Sequence, residues 1–398
     1  MAKTTQPAPK KRNAIKPPAP PAVPAQGPLT LAQARALVTA APARRAATAR
    51  RAAAPQPAAR RAAPRPAAAA TTVLAEASAG ALGAERKKLQ LAQRRELKQR
   101  VGDYKALMQV MKRRGVSGLA PAAAQEAVAA AAAPKRRRAP GAAVAVAAAS
   151  QAPLQILAEG DSWFDYPVPF FGGGVIPRLE TRIGLPILNL AKAGDEVRYM
   201  MGVAERKVMA QQLREGCPAG GHWDVLLFSG GGNDIVDNPM ALWVREHAAN
   251  LPPAQLINRP RFDAALAMVR AGYEDLITLR DQLSPGTHLV FHCYDFAIPD
   301  GRGICHIGPW MKPTFDLRGF PSLAAASAVV KLMLQEFAAM LQTLQTAARV
   351  TVINAQGTLA PQPSSWHNEL HPSKKGFETF ADVFHARLKQ LFPGRVLG

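Results

Sequence analysis

Residues 153–164 read PLQILAEGDSWF, an apolar run that breaks at Gly160-Asp161-Ser162. Four later stretches share its texture: GLPILNLAKAG (184–194), WDVLLFSGGGND (223–234), THLVFHCYD (287–295) and RVTVINAQG (349–357). Short aliphatic runs without polar alternation suit strands buried on both faces of a parallel sheet. Helical patterns lie between them, at about 195–215, 261–283, 322–348 and 373–391. The alternation predicts an α/β domain of three layers, α/β/α, around a five-stranded, mainly parallel sheet. In such sheets the functional residues lie beyond the carboxyl ends of the strands.

The domain is expected to begin near residue 151 and run to 398. All 14 Phe and all 5 Trp lie after residue 150, and only Tyr104 of the 5 Tyr lies before it. A segment so poor in aromatics buries too little apolar surface to offset its ordering entropy, so residues 1–150 are expected to be a mostly disordered tail. That tail holds 28 Lys/Arg against 5 Asp/Glu, a net +23, which accounts for the whole-chain +22. Its expected partners are polyanions: nucleic acid, anionic lipid or polyphosphate. One stretch inside it, 84–114, lacks Pro and spaces Leu97, Val101, Tyr104, Met108 and Met111 on one helical face. It reads first as a basic solvated helix, with a self-association or membrane-surface helix as the alternative. PKRRR (134–138) resembles a basic address signal of a kind that Arg-rich tails produce by chance. Three cysteines without paired spacing argue for reduced thiols rather than a disulfide framework. The N-terminus lacks an apolar signal region, and no transmembrane run stands out. A cytoplasmic location is the expectation.

Ser162 follows a Gly that permits a tight turn at the end of the first strand, a good place for an exposed nucleophile, though Gly-Asp-Ser is also an ordinary turn. Gly230-Gly231-Gly232-Asn233-Asp234 closes the third strand, where an Asn amide could donate to a developing oxyanion. His371-Pro372-Ser373 precedes the last helix. Together with Gly194 after the second strand, these elements stand in an order that resembles the SGNH (GDSL-type) hydrolase superfamily. The resemblance covers about residues 153–392 and implies a flavodoxin-like fold and ester hydrolysis. It implies Ser162 as nucleophile and His371 as general base and later general acid. It implies an oxyanion hole made by the Ser162 N–H, the Gly194 N–H and the Asn233 side chain, and no cofactor.

The sequence departs from the pattern at one position. Where the family places an Asp three residues before the catalytic His, this chain has Asn368. An Asn can orient the imidazole through its oxygen but cannot stabilise imidazolium as a carboxylate does. Glu369 is the second candidate for that role, and a weak Ser-His dyad, or an inert one, the third. His367 and His371 stand four apart, yet no further ligand has zinc spacing, so no metal is expected. FGGGVIP (171–177) lacks the Gly-Lys-Ser/Thr of a phosphate loop and reads as a flexible loop beside the nucleophile. Trp163, Phe164, Tyr166, Phe170 and Phe171 form an aromatic cluster that either lines an acyl pocket or packs a loop against the domain. Residues 295–320 form a long irregular stretch in which Arg302 and Trp310 are candidate substrate contacts. The expected function is a serine ester hydrolase working through an acyl-enzyme on Ser162. The alternative is a polyanion-binding or scaffolding protein with a weak or inactive hydrolase domain.

Overall fold

A computed structural model of the 398-residue chain describes residues 21–49, 72–119, 153–166, 172–304 and 307–397. The five apolar runs form five strands: β1 (Ile156–Gly160), β2 (Ile187–Asn189), β3 (Val225–Ser229), β4 (His288–His292) and β5 (Val350–Ile353). They pair in the order β2-β1-β3-β4-β5, every pair parallel. The chain steps outward from β1 to β2, then returns to β3 on the other side of β1. The crevice above β1 and β3 is therefore the topological switch point, the place where open α/β sheets bind ligands. Gly160 ends β1 level with Ser229 of β3. Space demands Gly there, since a Cβ would lie 2.6 Å from the Ser229 carbonyl oxygen.

Helices flank the sheet. Helices α1 (Leu31–Ala49) and α2 (Thr72–Arg114) precede it. Then follow α3 (Val175–Ile183), α4 (Val197–Met200), α5 (Val203–Glu215), α6 (Gly232–Ile235), α7 (Arg259–Leu283), α8 (Lys312–Leu317), α9 (Leu323–Thr343) and α10 (Lys374–Leu391). Helix α3 packs against α10, while α7 packs against α4, α5 and α9. Local chemistry sets several ends. Ser322 caps α9 by accepting from Ala325 N, and Ser373 caps α10 by accepting from Gly376 N. Helix α9 is long and apolar enough to cross a bilayer, which the sequence reading did not single out. It is a core helix here, with Val329, Val330, Met333, Leu334, Phe337 and Leu341 buried.

Two expectations need correction. Of FGGGVIP only Gly172–Gly174 are described as loop, since α3 begins at Val175 and Phe171 lies outside the described residues. The stripe on α2 is not a solvated face: Tyr104, Met108 and Met111 are buried within the same core as the sheet. Tyr104 lies 5.5 Å from the Trp223 ring, and Lys112 Nζ donates to the carbonyls of Ala219 and Gly220. The helix also starts earlier than expected, at Thr72, and covers the outer strand β2. A spacing pattern shows that a face is apolar; it does not show whether that face finds a partner surface elsewhere in the chain. The PKRRR stretch lies outside the described residues.

Glu159 of β1 is 7% exposed, and burial pushes its carboxyl from the ordinary 4.5 to about 7. Below pH 4.5 the group is protonated in folded and unfolded chains alike and contributes nothing. As pH rises from there to 7 the unfolded chain gives up its proton first, so folded stability falls. Above 7 the full cost, about 3 kcal/mol, applies. Glu159→Gln keeps an acceptor for the Gly160 N–H, which Glu159 Oε1 now accepts at 3.0 Å. Urea unfolding is expected to show the variant more stable than the parent at pH 8, with the gain vanishing near pH 4.5.

Candidate active site

The turn that carries Ser162 is fastened by its neighbour. Asp161 is 2% exposed, and its Oδ1 accepts from Trp163 N and Ser229 Oγ, both at 2.9 Å. Its Oδ2 accepts from the Tyr294 hydroxyl. Burial pushes this carboxyl up to about 6 while the three donors pull the other way, so it is ionised at neutral pH. His292 Nε2 meets Ser229 Oγ at 2.8 Å and extends the knot to β4. Ser162 is thereby presented above the ends of β1 and β3 with its own hydroxyl directed elsewhere.

That hydroxyl lies 2.6 Å from His371 Nε2. The imidazole's other nitrogen, Nδ1, lies 2.9 Å from Asn368 Oδ1. The same Oδ1 accepts from Leu370 N at 3.0 Å and His371 N at 2.9 Å. An amide nitrogen cannot accept from an N–H, so these two backbone donors force the oxygen, not the NH2, to face His371. The oxygen is acceptor-only. Nδ1 therefore carries the proton and the Nε2 lone pair points at Ser162, the tautomer a general base requires. Asn368 Nδ2 donates to the Tyr166 hydroxyl at 3.1 Å, and that hydroxyl is hydrogen-bonded to His367 Nδ1 at 2.8 Å. The Tyr166 ring stacks on His371 with centroids 4.2 Å apart. Burial, and to a smaller extent His367, drives His371 down to about 3; no carboxylate opposes the shift.

The oxyanion side is partly assembled. Ser162, Asn233 and His371 line one cavity of about 30 Å3, whose walls also include Val236, Ala297 and Leu334. Asn233 Nδ2 donates one of its hydrogens to Asp195 O at 2.9 Å, which leaves the second for a ligand and ties it to the residue after Gly194. Gly194 is exposed, lies outside the cavity wall and has φ of 85°, a left-handed turn that suits Gly. Among the described residues, neither the Ser162 N–H nor the Gly194 N–H has a protein acceptor.

Other expected site residues stand differently. Glu369 does not support His371: its Oε1 accepts from Gly301 N and Lys312 N, and its Oε2 from Trp310 N and Met311 N, at 2.6–3.0 Å. It is the anchor of the irregular stretch after β4. Phe164 is fully buried against His292 and Phe384, so it is core rather than acyl pocket. Tyr166 is buried on the base, not open to substrate. Trp163 touches the cavity, but its ring packs among Tyr294, Phe377 and Phe380, and its Nε1 donates to Leu370 O at 3.1 Å. Phe170 and Phe171 lie outside the described residues. Trp310 meets His371 edge-on at 5.8 Å, whereas Arg302 Nη1 is bonded to Trp366 O. Both nitrogens of His371 are engaged by Ser162 and Asn368, and no cluster of three metal-ligating side chains occurs among the described residues. Asp295, which lines the cavity and holds Gly357 N and Leu359 N, was missed as an anchor; a lone Asp at a strand end gives no distinguishing signal.

Residues 158–378 match the model of the GDSL-like lipase/acylhydrolase family, and the chain belongs to that family: it is an ester-cleaving hydrolase. Among solved structures it is similar to a lipase from a goat rumen metagenome, at 17% identity over 58% of this chain and 96% of that one, with a TM-score of 0.40. A carbohydrate acetylesterase from Sinorhizobium meliloti shares 12% identity over 60% of this chain and 100% of that one, TM-score 0.38. An extracellular lipase from Streptomyces rimosus shares 15% over 58% and 99%, TM-score 0.36. These likenesses are too distant to bear on substrate. No curated protein matches the chain.

If His371 is the base, its depressed pKa sets the acid limb of kcat/KM well below pH 6. Asn368→Asp puts a carboxylate beside Nδ1, stabilises imidazolium and raises the His371 pKa, so the limb moves to higher pH. At pH 8 this variant is expected to turn over faster, by roughly tenfold for each unit gained. Asn368→Ala removes the orienting oxygen and is expected to lower kcat by about 10²–10⁴-fold. Steady-state kinetics from pH 4 to 9 on all three proteins checks both shifts.

Proposed function

We propose that the protein hydrolyses small acyl esters through an acyl-enzyme on Ser162. The observation that carries this reading is the 2.6 Å contact between Ser162 Oγ and an imidazole nitrogen whose lone pair must face it. In the proposed cycle Ser162 Oγ attacks the ester carbonyl carbon and passes its proton to His371 Nε2. Negative charge on the carbonyl oxygen is met by the Ser162 N–H, the Gly194 N–H and the second hydrogen of Asn233 Nδ2. The C–O bond to the alcohol breaks, and the departing oxygen takes the proton from Nε2. Water then attacks the acyl carbon, gives a proton to Nε2, and the carboxylic acid leaves as Ser162 regains its hydrogen. Asn368 holds the ring in its working tautomer without adding charge.

The cavity of about 30 Å3 beside Ser162 supports a short acyl group such as acetyl. p-Nitrophenyl acetate is expected to be turned over, the octanoate at least about tenfold more slowly, since a longer chain must displace Val236, Ala297 or Leu334. Ser162→Ala is expected to lose all turnover above background and all labelling by a fluorophosphonate probe. Retained turnover in that variant would end the proposal.

The net +23 of residues 1–150 supports a second, compatible role in holding the enzyme on a polyanion. Binding of the full chain to a short DNA duplex should weaken steeply with added salt, because neutralised phosphates release counterions. Affinity that ignores salt would remove this role.

A further inference from the structure

Arg100 lies on α2, outside the 158–378 span that defines the family. Its guanidinium reaches into the catalytic domain at two places. Nη1 donates to the carbonyls of Asn189 and Ala191, at 3.0 and 3.1 Å, where β2 ends. Nη2 donates to Asp165 Oδ2 at 2.8 Å, and to Glu96 of its own helix at 2.7 Å.

Each contact leads to one half of the site. Asp165 is the third residue after Ser162; its N–H closes the nucleophile turn on Asp161 O, and the next residue, Tyr166, stacks on His371. Ala191 opens the loop that runs through Lys192 to Gly194. Asn189 Nδ2, meanwhile, donates to Phe164 O inside the same turn, at 3.0 Å. One planar cation thus joins the segment carrying the nucleophile to the segment carrying the glycine amide. The parallel ladder joins the two segments up to Gly160, with Leu190 N donating to Ala158 O at 2.8 Å and Lys192 N to Gly160 O at 2.9 Å; beyond it both are irregular backbone, and only side chains bridge them.

Packing does not duplicate this link. Arg100 and Asp165 both line a cavity of about 750 Å3 on one side and another of about 660 Å3 on the other, so the bridge is a wall between two hollows. Helix α2 itself is held elsewhere, by Tyr104, Met108 and Met111 in the core and by Lys112 near its end. Removing the guanidinium leaves the helix seated and leaves the outer parts of the two segments joined by the Asn189–Phe164 bond alone.

We propose that Arg100 is a positioning residue for catalysis: from a helix outside the family's domain, it holds the Ser162 turn and the Gly194 loop at working separation. The proposal rests on the Ser162 reading above. A bidentate, planar donor is needed to span two carbonyls and a carboxylate, which Lys cannot reproduce.

The test uses the full chain with p-nitrophenyl acetate as substrate. Arg100→Gln and Arg100→Lys are expected to lower kcat by roughly ten- to a hundredfold, because a small displacement of reacting groups is costly. KM should stay within about threefold, since the change touches no substrate group. Asp165→Asn cuts the same bridge from the domain side and should give the same loss, with the Arg100→Gln/Asp165→Asn double variant no worse than either. Lys112→Gln is the control: it removes a comparable anchor of α2 far from Ser162, and should lower the melting temperature while leaving kcat at the parent value. Parent kcat in Arg100→Gln would overturn the proposal, as would an equal kcat loss in Lys112→Gln at matched melting temperature. Should Arg100→Gln fail to fold, Asp165→Asn decides alone. The two readings fail differently: turnover surviving in Ser162→Ala removes the catalytic assignment, whereas an inert Ser162→Ala beside a fully active Arg100→Gln removes only the role of Arg100.

Discussion

Asp161 gathers donors from three separate segments onto one buried carboxylate: the amide of Trp163, the hydroxyl of Ser229 at the end of β3, and the phenol of Tyr294 beyond β4. A carboxylate removed from water is costly unless its oxygens are matched, and here the matching partners are the ends of adjacent strands. The sheet's central strands are therefore joined at their carboxyl ends as well as along their ladders. Ser162 is the residue next to this knot, and its hydroxyl is left over for the imidazole. Everything placed above β1 and β3 inherits its position from that charge.

The imidazole is held on a different principle. Around His371 there is no negative partner, only an amide oxygen whose orientation two backbone N–H groups dictate. Geometry and tautomer are secured, but the protonated ring receives no compensating charge, and burial is left to dominate its titration. The stacked Tyr166 and the edge-on Trp310 complete an almost wholly neutral enclosure. Such an enclosure favours the neutral imidazole over a wide pH range and gives its protonated form little help.

Much of this was legible in the sequence because the relevant signals are local. Five unalternated apolar runs marked five strands, and Ser162, Asn233 and His371 each followed a strand or preceded a helix at a place where loops converge. Asn368 was legible as a departure, but the direction of its oxygen was not, since that depends on how the 366–372 loop folds back, His367 N bonding His371 O. Glu369 was misread for the same reason: adjacency in sequence put it near His371, while its side chain turns to four amides of the 301–312 stretch. Residue type left Tyr166 and Phe164 open as pocket walls or as loop packing, because the partners that decide it, His371 and Phe384, come from some two hundred positions away. The seating of α2 was hidden by composition, because its few large side chains are diluted in a basic, Ala-rich segment that reads as unfolded.

That seating also bears on how the sheet survives in solution. Strand β2 is an outermost strand, and a bare outer strand offers unsatisfied backbone groups to any other chain with a strand to add. Here α2 lies across it, and Arg100 occupies the carbonyls of Asn189 and Ala191 where the strand gives out. Without α2 that border of the sheet would be uncovered. Covering of this kind is one of the ways in which edge strands are kept from pairing with other chains.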